Sequence, residues 1–320
     1  MGGEAITRII FATDFHGSDL CFRKFLGAAI SYQAEVALVG GDITGKAIVP
    51  VIKQDRDTWS ATYFGSTHQA RGREELAELS KRISAVGFYP YACDKEEYAE
   101  LVSNPERVDR IFRELMVERV RQWVQLAEQH LKPKGIRCFI MPGNDDIYEI
   151  DPVIGASDYV ANPDERVLAI DDHHELISIS HNNITPWKCH RDIPEEELYA
   201  KIDAVARRLT NPSNAVFCLH CPPYGTKIDQ APELDPNLKI VHKGGQVSMK
   251  SAGSTAVRRA IEQYQPLLGV HGHIHEGRGF DRIGRSLCLN PGSEYAEGIL
   301  RAAVINLDRD KVKGYMLISG

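Results

Sequence analysis

Five short segments of this chain share one arrangement: an apolar run stops at a loop that carries Asp, His or Asn. They are Asp14-Phe15-His16, Gly41-Asp42, Gly143-Asn144-Asp145-Asp146, His220-Cys221-Pro222-Pro223 and Gly272-His273-Ile274-His275. A short apolar run bounded by turn residues reads as a buried strand. In open α/β sheets such strand ends converge on one edge, where ligands bind. Each segment alone is weak, because Asp-x-His is commonly a surface loop and Gly-Asp a turn. Five in succession, each closing a strand, require a fold that gathers them. Carboxylate and imidazole together suit Mn, Fe, Zn, Ni or Co, and the neighbouring glycines let backbone approach closely.

The surrounding pattern restricts the architecture further. Thr7 to Ala12 reads as a strand. Ser18 or Asp19 can cap a helix running to Tyr32, and Val36 to Val39 is a second buried strand. This β-α-β start predicts parallel pairing. Regular alternation resumes at Ile136 to Met141. Strands are expected at 166–170, 175–180, 214–219, 267–270, 286–289, 301–307 and 312–318, and helices at 194–209 and 254–264. The β-rich close predicts an α+β chain with two packed sheets and helices outside, not one doubly wound sheet.

Residues 43–134 read differently and are expected to form an inserted cap or interface subdomain within a single domain spanning 1–320. The segment holds a hairpin around Gln54-Asp55-Arg56-Asp57, a helix from Arg73 to Val86, a Tyr/Pro-rich break at Phe88-Tyr89-Pro90-Tyr91, and a long amphipathic helix from Glu106 to Leu131.

Composition narrows the function classes. The 320 residues carry 38 Lys and Arg against 44 Asp and Glu, a net charge of −6 that disfavours binding of long nucleic acid. No apolar run approaches the roughly 18–20 residues of a membrane helix. Residues 1–8 lack the regions of a signal peptide, so a cytoplasmic location is expected. Seven cysteines, an odd count, do not suggest a disulfide framework. Cys218-Leu219-His220-Cys221 has no second C-x-x-C to complete a zinc site, and Cys218 reads as a core residue. The run from Gly40 to Ala47 nearly matches a phosphate loop, but Ala47 lacks the hydroxyl, and the next residues read as strand where that motif needs a helix.

In order, the five segments resemble the D-x-H, G-D, G-N-[HDC]-[DE], H and G-H-x-H pattern of the calcineurin-like metallophosphoesterases, and Asn290-Pro291-Gly292-Ser293 resembles the family's closing segment. The resemblance implies a double β-sandwich with α/β/β/α layers and a binuclear metal centre at one edge. It implies that Asp14, His16 and His275 hold one divalent ion, that Asn144, His220 and His273 hold a second, and that Asp42 bridges them. The ions would be two of Mn, Fe, Zn or Ni, about 3.5–4 Å apart, sharing a hydroxide that attacks phosphorus. Asn144 and His220 thereby also count as catalytic.

Many members carry His after the Asn, whereas this chain has Asp145, as in a bacterial and archaeal phosphodiesterase-like branch. An ordinary ionised Asp would repel a dianionic monoester, which favours a diester. Asp145 could also cap a following helix. The expected substrate is a phosphorylated small molecule or nucleotide, with Tyr224, Lys227 and Arg278 as candidate contacts and Lys243 with Gly244-Gly245 as a candidate lid. The insert could serve as a homo-oligomer surface. The alternatives are a phosphomonoesterase or nucleotide phosphatase, and a catalytically silent scaffold of the same fold.

Overall fold

A computed structural model describes residues 6–320; the first five residues, part of the N-terminal segment read above, lie outside the described residues. Two six-stranded sheets form the centre. The first runs, edge to edge, Lys311–Ser319, Arg301–Asp308, Thr7–Ala12, Val36–Gly40, Arg137–Met141 and Val160–Ala161. The second runs Gly279–Ile283, Ser286–Asn290, Leu268–Val270, Val216–Leu219, Glu175–Ile179 and Val167–Ala169. Each has four consecutive parallel strands, which run to one edge of the first sheet and form the middle of the second; the first begins with Thr7–Ala12 beside Val36–Gly40 in the expected parallel pairing.

The strand period of two divides the core into layers. Ile9, Phe11, Val36 and Leu38 face inward and meet Val216, Cys218, Leu268 and Leu289 of the opposite sheet. Ile10, Ala12, Ala37 and Val39 face outward, under the helices Asp19–Ser31 and Pro105–Leu131. Ile177, Phe217 and Leu219 face outward on the other side, under the helices Glu195–Ala206 and Thr255–Tyr264. The result is the helix–sheet–sheet–helix sandwich that the sequence predicts.

Packing divides the 43–134 segment in two. Strands Ser66–Arg71, Thr58–Tyr63, Ile48–Lys53 and Tyr89–Cys93 form a separate sheet whose small core joins Val49, Val51, Ala61 and Ala70 to Leu79 and Ile83 of the helix Gly72–Ala85. The helix Pro105–Leu131 instead packs on the main body through Met116, Val120, Trp123 and Ala127. The segment expected as a break is the strand Tyr89–Cys93. Pro90 is tolerated there because the strand is at the sheet edge, where a missing N–H leaves no partner unpaired. The near phosphate loop is followed by the strand Ile48–Lys53, so it presents no helix N-terminus. Cys218 lies buried in the core, and the Cys221 thiol donates to Asn183 Oδ1.

Candidate metal centre

The Asp14 and Asp42 loops leave adjacent parallel strands and are laced together. Asp14 N donates to Gly41 O, His16 N to Asp42 O and Gly17 N to Ile43 O, each at 2.9 Å. Phe15, between two candidate ligands, turns inward to meet Phe22, Phe25 and Trp123 edge-on at 5.6–5.9 Å. Each such aromatic pair adds about 0.5–1.5 kcal/mol beyond area burial. The long helix thus anchors this loop through Trp123, and Asp14 and His16 point the other way, into the site.

The other loops are tied in similarly. Gly272 N donates to His220 O at 2.9 Å, and the Asn290 amide donates to Gly272 O and Ile274 O. Ser293 Oγ donates to Asp14 O at 2.7 Å. Closing the site also demands unusual backbone. Asp14, His16, Asp42 and His273 all have positive φ, at 55°, 41°, 49° and 64°. A left-handed non-glycine residue costs about 1–3 kcal/mol and tends to occur where function holds it. Gly143 and Gly272 admit close approach: a Cβ on either would collide with Asp42 or Asp14.

Two groups of ligand atoms result, each within 4.8 Å internally: Asp14, His16 and His275, and Asp42, His220 and His273. Asp42 lies between them, with Oδ1 3.3 Å from His220 Nε2 and Oδ2 3.7 Å from His16 Nε2. His16 Nε2 and His275 Nε2 point at each other 3.1 Å apart. His220 donates Nδ1–H to Gly40 O at 2.7 Å, which aims Nε2 into the cluster. Asn144 donates its Nδ2–H to Asp192 Oδ1 at 2.8 Å, which leaves Oδ1 as the inward atom.

The donor set fits divalent cations on two counts. Asn144 Oδ1 and His220 Nε2 are buried with no hydrogen-bond partner, an arrangement that costs stability unless something fills it. The buried carboxylates of Asp14 and Asp42 are also met by imidazoles rather than by lysine or arginine. Burial opposes the shift, yet the carboxylates of Asp42 and Asp14 push His220 up to about 10. Asp14 is held down at about 2, where His275 and His220 outweigh burial. The two carboxylates thus draw protons onto neighbouring imidazoles, a charge that a metal would supply instead. Burial drives His16 and His273 down to about 3 and about 4, leaving both imidazoles neutral.

Asp145 does not cap a helix. The chain continues as a turn to the short 3-10 helix Tyr148–Ile150, with no α-helix start in reach. Its backbone N–H donates to Asp42 Oδ1 at 3.0 Å, and its carboxylate lies 3.8 Å from His16 Nδ1 and 3.4 Å from Lys46 Nζ. Burial and the Asp42 carboxylate raise its pKa, while Lys46 opposes them. Asp146 is the residue that serves the backbone: it accepts from Gly143 N, Ile43 N, Thr44 N and Thr44 Oγ1 and so joins two ligand loops. Burial and Asp42 push its carboxyl up to about 6.

The expected substrate contacts are placed differently. Arg278 donates to Leu317 O, Lys227 N–H to Asp281, and exposed Tyr224 accepts from Arg258 through its carbonyl. Among the described residues, no hydrogen bond or ion pair joins these three side chains to the cluster. Lys243 pairs with Glu233 at 2.7 Å. The motifs point neither to Asp192 nor to Tyr295, whose ring lies 4.7 Å from that of His16, and they assign no role to Asp146 or Lys46. Asp146 closes the Gly143-Asn144-Asp145-Asp146 segment, but its role across the fold leaves no mark there; Asp192 follows Asn144 by 48 residues and carries no signal. A separate group, Asp164, Glu165 and His181, already has Lys201 at 2.6 Å and Arg191 at 3.8 Å to meet its charge.

No family model matches the chain. It is 30% identical over 154 residues to the uncharacterized protein MJ1162 of Methanocaldococcus jannaschii, a match spanning 47% of this chain and 62% of that protein. The protein TT1561 of Thermus thermophilus superposes over 99% of both chains, with 13% identity and a TM-score of 0.53. A further solved structure covers 98% of this chain and 99% of its own, with 16% identity and a TM-score of 0.58. At such identities the two structural likenesses bear on the fold alone.

Proposed function

From the premise that this chain has the calcineurin-like metallophosphoesterase fold, we propose that it is a dimetal-dependent phosphoesterase acting on phosphodiesters. The observation that carries the reading is the single carboxylate of Asp42 facing His220 with one oxygen and His16 with the other. Asp14, His16 and His275 would hold one ion, Asn144, His220 and His273 the second, and Asp42 both. When bound, two divalent cations supply a Lewis-acid clamp on phosphate and a water acidic enough to attack phosphorus.

The chain's own residues do the rest. Gly40 O fixes the tautomer of His220, and Asp192 fixes the amide orientation of Asn144. The neutral Asn144 amide adds a ligand without adding charge, which keeps the centre positive toward phosphate. Burial excludes water around Asp14, His16 and Asp42 and so strengthens their electrostatics. Asp145, where many relatives place His, supports the diester preference: a carboxylate there disfavours a second negative charge on the substrate.

The test uses Mn²⁺-loaded protein on bis-p-nitrophenyl phosphate and p-nitrophenyl phosphate. Faster turnover of the diester is expected, and Asp145→His is expected to raise the monoester-to-diester ratio. An unchanged ratio removes the role of Asp145; no activity on either ester, with metal verified bound, removes the phosphoesterase reading.

A further inference from the structure

The loop after Asp42 is held on every side. Asp146 binds Ile43 and Thr44, and Tyr89 Oη, on the edge strand of the separate sheet, accepts Gly45 N–H at 2.9 Å. Gly45 lies so close to Gly87 O that a Cβ would collide with it. Lys46 is therefore launched from a fixed backbone, and its flexible stem reaches Asp145 beside the candidate ligand residues. Its ammonium is 3.4 Å from Asp145 Oδ2, which is itself 3.8 Å from His16 Nδ1. The Lys46 side chain is 51% exposed and that of Asp145 30%, so the pair opens to solvent at the rim of the site. Tyr295 stands beside it over His16 and His275.

We infer that Lys46 is a substrate-positioning residue, which leaves Asp145 to bind a nonbridging oxygen of a phosphodiester monoanion. The inference rests on the phosphoesterase reading of the same site. The pair is half-open to solvent at the rim, and ion pairs at a surface contribute little, so parting Lys46 from Asp145 costs less than breaking a buried pair. Exchanging one carboxylate for one phosphate monoanion keeps the local charge balanced. A dianion would gain the same single cation while also facing the released Asp145 carboxylate. The pair therefore favours substrates with one negative charge, and the separate sheet contributes by fixing where Lys46 starts.

The probe is dimethyl phosphate, titrated calorimetrically into the metal-loaded full chain. Lys46→Met is expected to weaken binding about tenfold, with metal content per chain unchanged. Lys46→Gln should behave as Lys46→Met, and Lys46→Arg should restore binding to within about threefold. Asp145→Asn should tighten it, because Lys46 loses its competitor. In turnover of bis-p-nitrophenyl phosphate, Lys46→Met should raise KM more than it lowers kcat. Equal affinity in wild type and both neutral variants overturns the inference, as does failure of the wild type to bind. Turnover with unaltered affinity in Lys46→Met removes Lys46 and leaves the phosphoesterase reading standing. Lysine-dependent binding without turnover does the reverse.

Discussion

Replacing Asp192 tests whether a residue outside the five motifs controls the candidate metal centre. Asp192 Oδ1 accepts the Asn144 amide at 2.8 Å, while Oδ2 accepts Thr185 N at 2.9 Å, Thr185 Oγ1 at 2.5 Å and Cys189 N at 3.0 Å. The isosteric Asp192→Asn has one acceptor oxygen, so it can serve Asn144 or the loop donors but not both. The charge-assisted bond to Asn144 is then lost or weakened, at about 1.5–3 kcal/mol. If that energy orients Asn144, retention of the ion it holds falls about 10–100-fold, the range for a partner that orients a ligand. The assay is metal per chain after dialysis against graded chelator, with urea unfolding of the metal-free protein alongside. The variant is expected to pass through a stage with one ion per chain at chelator concentrations where wild type keeps two. A chelator curve matching wild type refutes the reasoning. Simultaneous loss of both ions, tracking a fall in stability, also refutes it, since that would be general loosening.

Three further outcomes follow from the geometry. Asp42→Ala should leave fewer than one ion per chain, since its two oxygens face both ligand groups; elemental analysis finding two ions would exclude the bridge. Gly272→Ala should weaken retention at the Asp14 side and lower stability by about 1–3 kcal/mol, because the new Cβ falls 2.5 Å from Asp14 Oδ2; unchanged metal content and melting temperature would contradict this. Asp171 lies away from the centre and binds Thr7 Oγ1 and His174. Burial opposes the shift, but these bonds hold its carboxyl below the ordinary 3.8. The folded state therefore binds fewer protons there than the unfolded chain. This stabilisation is complete above 3.8 and is lost as pH falls through the lower folded value. Asp171→Asn should flatten the acid limb of stability measured by urea unfolding; an acid limb as steep as wild type would count against it.

The sandwich was legible because its causes are local. Strand alternation such as Ile9, Ile10, Phe11 and Ala12 divides residues between two faces wherever both are covered, and the sequence carries that period directly. The Asp14, Asp42, His220 and His273 loops were legible too, because parallel strands end at a common edge. Legibility failed where the reason lies across the fold. Tyr89 sits in a segment whose Pro90 argues for a break, yet it is a strand because an edge position asks nothing of the missing N–H. Asp145 suits either a helix cap or a place facing the substrate, and only the arrival of Lys46 and His16 shows where its carboxylate goes.

By itself, the sequence determined the chemistry on offer: Asp14, His16, Asp42, Asn144, His220, His273 and His275, in that order, each at the end of a strand. Periodicity and residue type suffice for that, because both act within a few residues. Only the tertiary structure decided how these side chains are aimed. Asp192 turns Asn144, Gly40 O turns His220, Asp146 joins two loops, and Tyr89 fixes the launch point of Lys46. Hydrogen bonds and buried charges depend on distance in space and leave no regular mark on the spacing of residues along the chain.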